Sequence, residues 1–377
     1  MLKHLQKRKN KDKNLSFEAK FMFVLVLFLS LFGILMVYSA SAYSAKTYYN
    51  NAEYFLIKQA VGVFVGIIFL VFMANFDYKK LQKLKWPLLI LGIVLLILVF
   101  VPGIGVSNYG ARRWIRLPGF TIQSSEIAKF CFIIFVASYL SKASGKIKKF
   151  KGLLPVLIVG GVVCLLIMLE PNMSITMCVG LVMIAMLFVG GIKAKHFFIL
   201  SIPAIALVFL LIIIEPYRLD RLMAFINPWA NPKGEGYQLI QSLYSLGAGG
   251  LFGVGLFNSR QKYLFLPFSE SDFIFSIIGE EFGFVGSIFV LLLFFVVIVL
   301  GIKIGLRAKD RFGCFLSVGI SVIIAVQVLL NVAVVTGSIP PTGLPLPFIS
   351  AGSTSLMVFL GAIGVILNID KQSRNVL

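Results

Sequence analysis

The stretch LPFSESDFIFSIIGEEFGFVGSIFVLLLFFVVIVLGI, residues 266–302, decides the fold. Its second half is an apolar run of about 20 residues, the length that crosses a bilayer as a helix. Its first half carries carboxylates where a long polar interval meets that helix. Ionisable side chains at the edge of a bilayer or inside it are costly and by default indicate function. We therefore predict that Asp272, at the junction, is a catalytic group on the outer face of a cell membrane.

Long apolar runs make up most of the remaining chain. Of its 377 residues, 59% are hydrophobic and 13% are charged, a composition that a soluble domain could not bury. We expect an all-α, polytopic integral membrane protein, because barrel strands would be shorter and would alternate in polarity. About ten transmembrane helices are predicted, over residues 21–42, 55–75, 87–104, 125–141, 153–169, 173–190, 196–214, 284–302, 313–335 and 349–368.

Basic residues are concentrated in alternate intervals between these spans, and the intervals in between nearly lack them. This positive-inside pattern places both termini in the cytoplasm. We predict a basic cytoplasmic tail over 1–20, a single polytopic membrane domain over 21–369 and a cytoplasmic tail over 370–377. The net charge of +20 is then a signal of topology and of attraction to anionic membrane lipid, and no nucleic-acid binding is expected.

Two intervals on the predicted outer side break this rule. They are residues 105–124 and the large outer loop 215–272 between helices 7 and 8. Basic residues kept on the outer face indicate an anionic ligand, although solvated loop charges would give the same pattern. The candidate cations, in order of preference, are Arg112, Arg113, Arg260 and Lys262.

The entry to the fourth predicted helix carries a pair of opposite charges. Glu126 and Lys129 are three residues apart, so they share one face of that helix. Two interpretations are open. The pair neutralises itself, or Lys129 faces the cavity that contains Asp272 and keeps the aspartate ionised.

Past Asp272, the distance to the next basic cluster exceeds what one span needs. Either the eighth helix protrudes outward, or residues 273–283 form a separate helix at the membrane surface. Glu280 and Glu281 lie on this segment, and we interpret both as buried structural partners rather than catalytic groups.

The last outer interval, 337–355, contains four prolines and several small hydroxyl residues. Such a segment at membrane depth is tolerated where it lines a cavity or packs on protein. Ser350 and Ser353 are therefore candidates for substrate contacts, and a rigid external turn is the alternative.

No residue pattern predicts a metal site. The cysteines fall within or at the edge of predicted spans and are interpreted as packing residues: Cys131, Cys164, Cys178 and Cys314. The two histidines, His4 and His196, are predicted to be cytoplasmic. Chemistry on the outer face must therefore proceed without histidine.

Seven motifs follow one another along the chain: GARRWI (110–115), SSEIAK (124–129), LEPNMS (169–174), NPWANPKGEGYQ (227–238), QKYLFLPFSESDFIF (261–275), GEEFGFVG (279–286) and TGLPLPFISAGSTS (342–355). In this order they resemble the SEDS family of bacterial membrane proteins (shape, elongation, division and sporulation), to which FtsW, RodA and SpoVE belong. The resemblance covers essentially the whole chain. The sequence PLPFISAG within the last motif is more similar to the FtsW and SpoVE branches of the family.

The resemblance implies a peptidoglycan glycosyltransferase of the bacterial cytoplasmic membrane. Its substrate would be lipid II, an undecaprenyl-pyrophosphoryl disaccharide pentapeptide, polymerised on the outer face during division, elongation or sporulation. The family also implies a class B penicillin-binding protein, a transpeptidase, as partner, and the septum as one location.

The resemblance also implies roles for residues. The catalytic aspartate of the family maps to Asp272, the Glu–Lys pair of the fourth helix to Glu126 and Lys129, and the arginine loop to Arg112 and Arg113. The chain departs from the family pattern at four places that bear on substrate contacts: in the motif before the eighth helix, which reads Glu-Ser-Asp-Phe over 270–273, at Ser124, at Ala351 and at Ser353.

Residue chemistry agrees with this mapping. A sugar hydroxyl is a poor nucleophile, so a positioned carboxylate base such as Asp272 assists its attack. Cations would stabilise the leaving pyrophosphate. A divalent cation there is compatible with the sequence, although no ligand cluster requires one. Two other functions fit intramembrane charge on about ten helices: a lipid II flippase and a divisome scaffold.

Overall fold

The computed structural model describes most of the chain, and the described residues are 15–108, 111–118, 120–143, 145–196, 198–199, 202 and 216–374. Most of the seventh predicted span, 196–214, lies outside these residues. The same holds for most of the predicted basic tail and for residues 375–377.

Helices dominate the described residues. They are α1 (Phe17–Tyr49), α2 (Tyr54–Asn75), α3 (Tyr78–Lys83), α4 (Lys85–Leu98), α5 (Ser124–Lys142), α6 (Leu154–Leu169), α7 (Met173–Val189), α8 (Pro216–Ile226), α9 (Tyr237–Gly249), α10 (Ile274–Leu306), α11 (Arg311–Val335) and α12 (Ser353–Arg374). Three-residue 3-10 helices occur at Lys146–Lys148, Phe150–Gly152 and Pro228–Ala230.

Six of the described helices are long and apolar enough to cross a membrane: α1, α2, α5, α10, α11 and α12. Three shorter apolar helices, α4, α6 and α7, lie where further spans were predicted. Together they account for every predicted span except the one over 196–214. The prediction of a helical, polytopic membrane protein is confirmed.

A three-stranded antiparallel sheet replaces the loop that was expected between α4 and α5. Its strands are β1 (Gly105–Asn108), β2 (Ala111–Leu117) and β3 (Phe120–Gln123), in the order β1-β2-β3. The strands are short and are separated by Gly and Pro, which explains why the sequence reads as a loop. Because β3 ends where α5 begins, the sheet is fixed to the start of that helix.

Glycines allow α2 and α12 to pack closely. A Cβ at Gly361 would lie 2.2 Å from the ring of Phe69, and one at Gly364 would lie 2.3 Å from the carbonyl oxygen of Leu70. Both separations are shorter than a real Cβ tolerates, so the two backbones approach only because these positions lack a side chain. Small residues at helix contacts are characteristic of membrane bundles.

The α10 helix is interrupted at Gly283, which has φ 68° and ψ −166°. The backbone groups freed by the break bond to the loop after α9: the Val254 N–H donates to the Glu280 carbonyl at 2.9 Å, and the Phe284 N–H donates to the Gly250 carbonyl at 2.9 Å. Irregular backbone at membrane depth is tolerated when protein satisfies it in this way. Residues 274–282 therefore form a helical segment separate from the long span that follows.

Candidate active site

Asp272 lies in the turn before α10, and the segment that joins α11 to α12 packs against it. We call this segment, residues 336–352, the proline-rich loop. The side-chain amide of Asn331 donates one hydrogen bond to the Asp272 carbonyl at 2.8 Å and another to the Leu344 carbonyl at 2.7 Å. One buried amide on α11 thereby holds both the turn and the loop in place.

The Asp272 carboxylate lies against Gly343 of the proline-rich loop, since a Cβ added at that glycine would be 2.7 Å from Oδ2. Burial of this carboxylate raises the pKa of Asp272 to about 6, and the nearby charge of Glu270 adds to the rise. Arg113 and Arg221 act in the opposite direction. Asp272 is therefore mostly ionised at neutral pH but close to its titration range, as suits a general base.

Arg112 and Arg113 follow each other in β2, at a β-bulge in its pairing with β1. Arg112 is exposed, whereas Arg113 is partly buried. The Arg113 guanidinium donates from Nε to the Glu170 carbonyl at 3.2 Å and from a terminal nitrogen to the Pro171 carbonyl. Of Arg112 and Arg113, Arg113 is the one whose charge acts on Asp272.

Glu170 is fully buried in the turn between α6 and α7. The Ser124 hydroxyl donates to its Oε1 at 2.7 Å. Burial raises the pKa of Glu170 to about 8, against the smaller opposing effects of Ser124 and Arg113. The carboxyl is therefore mostly neutral at pH 7.

Arg221, on α8, is a site residue that sequence analysis did not single out. Its guanidinium donates to the Pro341 carbonyl of the proline-rich loop at 3.1 Å, and its charge lowers the pKa of Asp272. The sequence showed a basic residue in the outer loop, but its approach to residue 341 depends on tertiary structure.

The structure favours the first interpretation of Glu126 and Lys129. The Lys129 ammonium lies 2.8 Å from Glu126 Oε1 and donates to Gln327 Oε1 at 2.7 Å, and the two charged side chains are 0–1% exposed. The charges that act on Asp272 are those of other residues. Gln327 also donates to the Pro345 carbonyl at 2.8 Å, so the ion pair is connected to the proline-rich loop.

Lys262 does not present its ammonium to a ligand, which corrects the expectation that it binds substrate. Its Nζ lies 3.2 Å from Glu281 Oε1, 2.6 Å from the Phe257 carbonyl and 3.3 Å from the Ser39 hydroxyl. A buried ammonium with three partners holds the loop after α9 against α1 and α10.

Glu280 has a similar structural position. Its carboxylate accepts from the Ser259 hydroxyl at 2.6 Å, from the Ser245 hydroxyl at 3.1 Å and from the Arg260 backbone N–H at 2.8 Å. The Arg260 side chain is exposed. The interpretation of Glu280 and Glu281 as buried structural partners agrees with these contacts.

The two candidate serines differ in position. Ser350 is buried, donates to the Ser271 carbonyl at 2.6 Å and accepts from the Leu346 N–H at 2.7 Å, so it joins the proline-rich loop to the Asp272 turn. Ser353 begins α12 and is partly exposed next to Gly62 of α2. Among the described residues, no group of three or more His, Cys, Asp or Glu side chains could hold a metal ion.

Comparison with known proteins places this arrangement in a family. Residues 19–375 match the family model of the FtsW, RodA and SpoVE cell cycle proteins. The chain is 42% identical to the stage V sporulation protein E of Bacillus subtilis, over 93% of this chain and 96% of that protein. It is 41% identical to a Trichlorobacter lovleyi protein named "Probable peptidoglycan glycosyltransferase FtsW", over 92% and 91% of the two chains.

A solved structure has the same fold. That structure is described as "Structural coordination of polymerization and crosslinking by a peptidoglycan synthase complex". The similarity has a TM-score of 0.77 at 25% identity, and it covers 93% of this chain and 97% of the other. Fold, motifs and relatives agree, and the chain belongs to the FtsW/RodA/SpoVE family of cell cycle proteins.

Proposed function

We propose that this chain is a peptidoglycan glycosyltransferase that polymerises lipid II into glycan strands, with Asp272 as general base. The observation that carries the proposal is the position of the Asp272 carboxylate. It lies against the proline-rich loop, the charges of two arginines act on it, and its pKa is raised to about 6. The relatives named peptidoglycan glycosyltransferases support the same reaction class.

The reaction joins a sugar hydroxyl to the anomeric carbon of a second lipid-linked sugar. The new carbon–oxygen bond forms as the bond from that carbon to the pyrophosphate oxygen breaks, and the lipid pyrophosphate leaves with the electron pair. Asp272 takes the proton of the attacking hydroxyl. Arg113 and Arg221 stand on the same side of the protein as this carboxylate and supply positive charge for the leaving group.

The position of Asp272 along the membrane normal supports chemistry on the outer face. Residues 284–306 of α10 extend about 33 Å at a rise of 1.5 Å per residue, which takes the chain across a bilayer. Asp272 lies before one end of this span, and Lys303 and Arg307 lie at the other end. Because basic residues mark the cytoplasmic side, we place Asp272 outside and both termini inside.

Glu126 and Lys129 act as positioning residues in this proposal. Their pair connects through Gln327 to the proline-rich loop, which in turn contacts the Asp272 carboxylate at Gly343. The pair thereby fixes the wall of the site opposite the aspartate.

The comparison with a synthase complex suggests a partner that crosslinks the glycan strands. We propose a class B penicillin-binding protein for this role, at the septum of dividing cells or at another site of wall synthesis. Co-purification of a tagged chain with its transpeptidase tests the partner, and imaging of the same tagged chain tests the location.

Gel analysis of lipid II incubated with purified full-length protein, alone and with that partner, tests the activity. We expect ladders of glycan chains that a muramidase digests. Intact lipid II under both conditions, from protein that is folded in detergent, would instead favour the flippase or scaffold functions.

A further inference from the structure

A cavity of about 400 Å³ opens at the end of the helix bundle opposite Asp272. It lies where α3, the last turn of α5 and the first turn of α11 meet. Lys79, Lys142 and Arg311 form its charged lining, one from each of these helices. We call it the basic pocket. The proposed glycosyl transfer makes no use of it.

The basic pocket carries excess positive charge. Among the described residues, none of the three cations belongs to a salt bridge, and all three side chains are exposed. Asp310 is the one carboxylate in the described lining, and it is already bonded: it accepts from the Tyr78 hydroxyl and, at 2.8 Å, from the Gly313 backbone N–H. Three cations facing one engaged carboxylate favour an anionic ligand.

Neutral donors and an apolar floor complete the basic pocket. Gln82 donates from its amide to the Ser141 hydroxyl at 3.1 Å, and a side-chain amide has a second N–H to offer. Phe312 is buried beneath the site and stacks with Tyr78 at 6.2 Å between ring centroids. A cavity of this size, with convergent cations and an amide above an apolar floor, suits a small phosphate-bearing group.

The position of the basic pocket relative to the membrane indicates the source of such a phosphate-bearing group. The α5 and α11 helices are both long and apolar enough to span a membrane, so their ends lie near the lipid headgroups. Trp86, at the start of α4 just after α3, is exposed and contacts Phe135 of α5 at 5.1 Å between ring centroids. Exposed tryptophans favour the membrane–water interface. We propose that the basic pocket binds the phosphate of an anionic phospholipid in the cytoplasmic leaflet.

Native mass spectrometry of the full-length, delipidated protein tests this site. Dioleoyl phosphatidylglycerol is titrated against dioleoyl phosphatidylcholine, and inorganic phosphate is added in a separate arm. The pocket variant is the triple Lys79→Gln/Lys142→Gln/Arg311→Gln. Its matched control, Lys146→Gln/Lys148→Gln/Lys149→Gln, removes the same charge from exposed positions nearby.

We expect the wild type to prefer phosphatidylglycerol. Each Lys or Arg near a membrane surface contributes about fivefold to the binding of an anionic lipid, so the triple pocket variant should weaken that binding about 100-fold. The triple control variant should weaken it far less. Equal losses in the two triples would show diffuse surface attraction and overturn the site. Pocket-dependent binding of inorganic phosphate without any preference for phosphatidylglycerol would overturn its assignment to a lipid. Circular dichroism checks that both triples fold, and Lys142→Glu alone provides a milder variant with the same expected direction.

Discussion

The substitution Gly343→Ala tests whether the proposed activity depends on the exact position of the Asp272 carboxylate. A Cβ at this glycine would lie 2.7 Å from Oδ2, whereas ordinary contacts begin at 3.4 Å. Gly343 is not among the glycines with positive φ, so alanine meets no backbone strain there. The carboxylate is the end of a side chain and can yield. The protein should therefore fold with the Asp272 carboxylate displaced by about 0.7 Å, the difference between those two separations.

A displacement of this size is costly for catalysis, since about 1 Å of misplacement lowers a rate about 100-fold. We expect Gly343→Ala to slow the initial rate of lipid II polymerisation between about 10-fold and 100-fold. The assay is gel analysis of glycan products from purified full-length protein over time. Thermal unfolding of the same sample should show a midpoint close to that of the wild type.

Gly352→Ala is the matched control, because it adds the same methyl group to the same loop. The nearest atom to a Cβ at Gly352 is 3.8 Å away, so this variant should retain the wild-type rate. If Gly343→Ala also retained the wild-type rate, the reasoning about Asp272 geometry would be refuted. A loss of activity in both variants would point to flexibility of the proline-rich loop instead.

Three further predictions follow from the buried contacts and from the pKa of Asp272. Gln327→Leu removes the side-chain oxygen that accepts from Lys129 and should lower the free energy of unfolding by about 1–3 kcal/mol. Polymerisation of lipid II should also be slower. An unchanged melting temperature and an unchanged polymerisation rate would contradict the positioning role. Lys262→Met leaves Glu281 buried without its cation and should lower the free energy of unfolding by about 3–5 kcal/mol. The polymerisation rate per folded molecule should stay unchanged. Loss of that rate in a stably folded variant would show that Lys262 belongs to the substrate site. The proposed base Asp272 has to be ionised to accept a proton, and its pKa is about 6. We therefore expect kcat/KM to fall about tenfold per pH unit below that value and to level off above it. A flat profile across that range would contradict the assignment.

The sequence was most informative where a side chain was costly in its predicted location. Asp272 was recognisable as a carboxylate at a membrane boundary, and Glu126 and Lys129 as a pair on one helical face. Both inferences need only local spacing and the cost of charge in lipid. The apolar runs likewise predicted helices, because a bilayer leaves few alternatives.

Contacts between distant segments were not predictable in the same way. The short strands between α4 and α5 resembled a loop, and the β-bulge at Arg112 and Arg113 is visible only once the strands are paired. Lys262 looked like an exposed loop cation until the fold enclosed it with Glu281. A signal was available for the amides of α11, since Gln327 and Asn331 are four residues apart in an apolar helix and therefore share one face.

Ser124 shows how a departure from the family pattern acquires a physical reason. It is the first residue of α5. Its hydroxyl donates to Glu170, which is buried and mostly neutral at pH 7. In this chain a side-chain hydrogen bond therefore links the start of α5 to the turn that Arg113 also contacts.

The substitution Asp272→Asn tests the central claim most directly. Asparagine keeps the size of the side chain but cannot accept the proton of an attacking hydroxyl, and removal of a general base typically costs about 100-fold to 10,000-fold in rate. We predict that purified full-length Asp272→Asn forms no glycan ladder from lipid II, while its circular dichroism matches the wild type. Asp220→Asn, at an exposed position of α8, should polymerise normally. Ladders of wild-type length and rate from Asp272→Asn would contradict the assignment of Asp272 as the base.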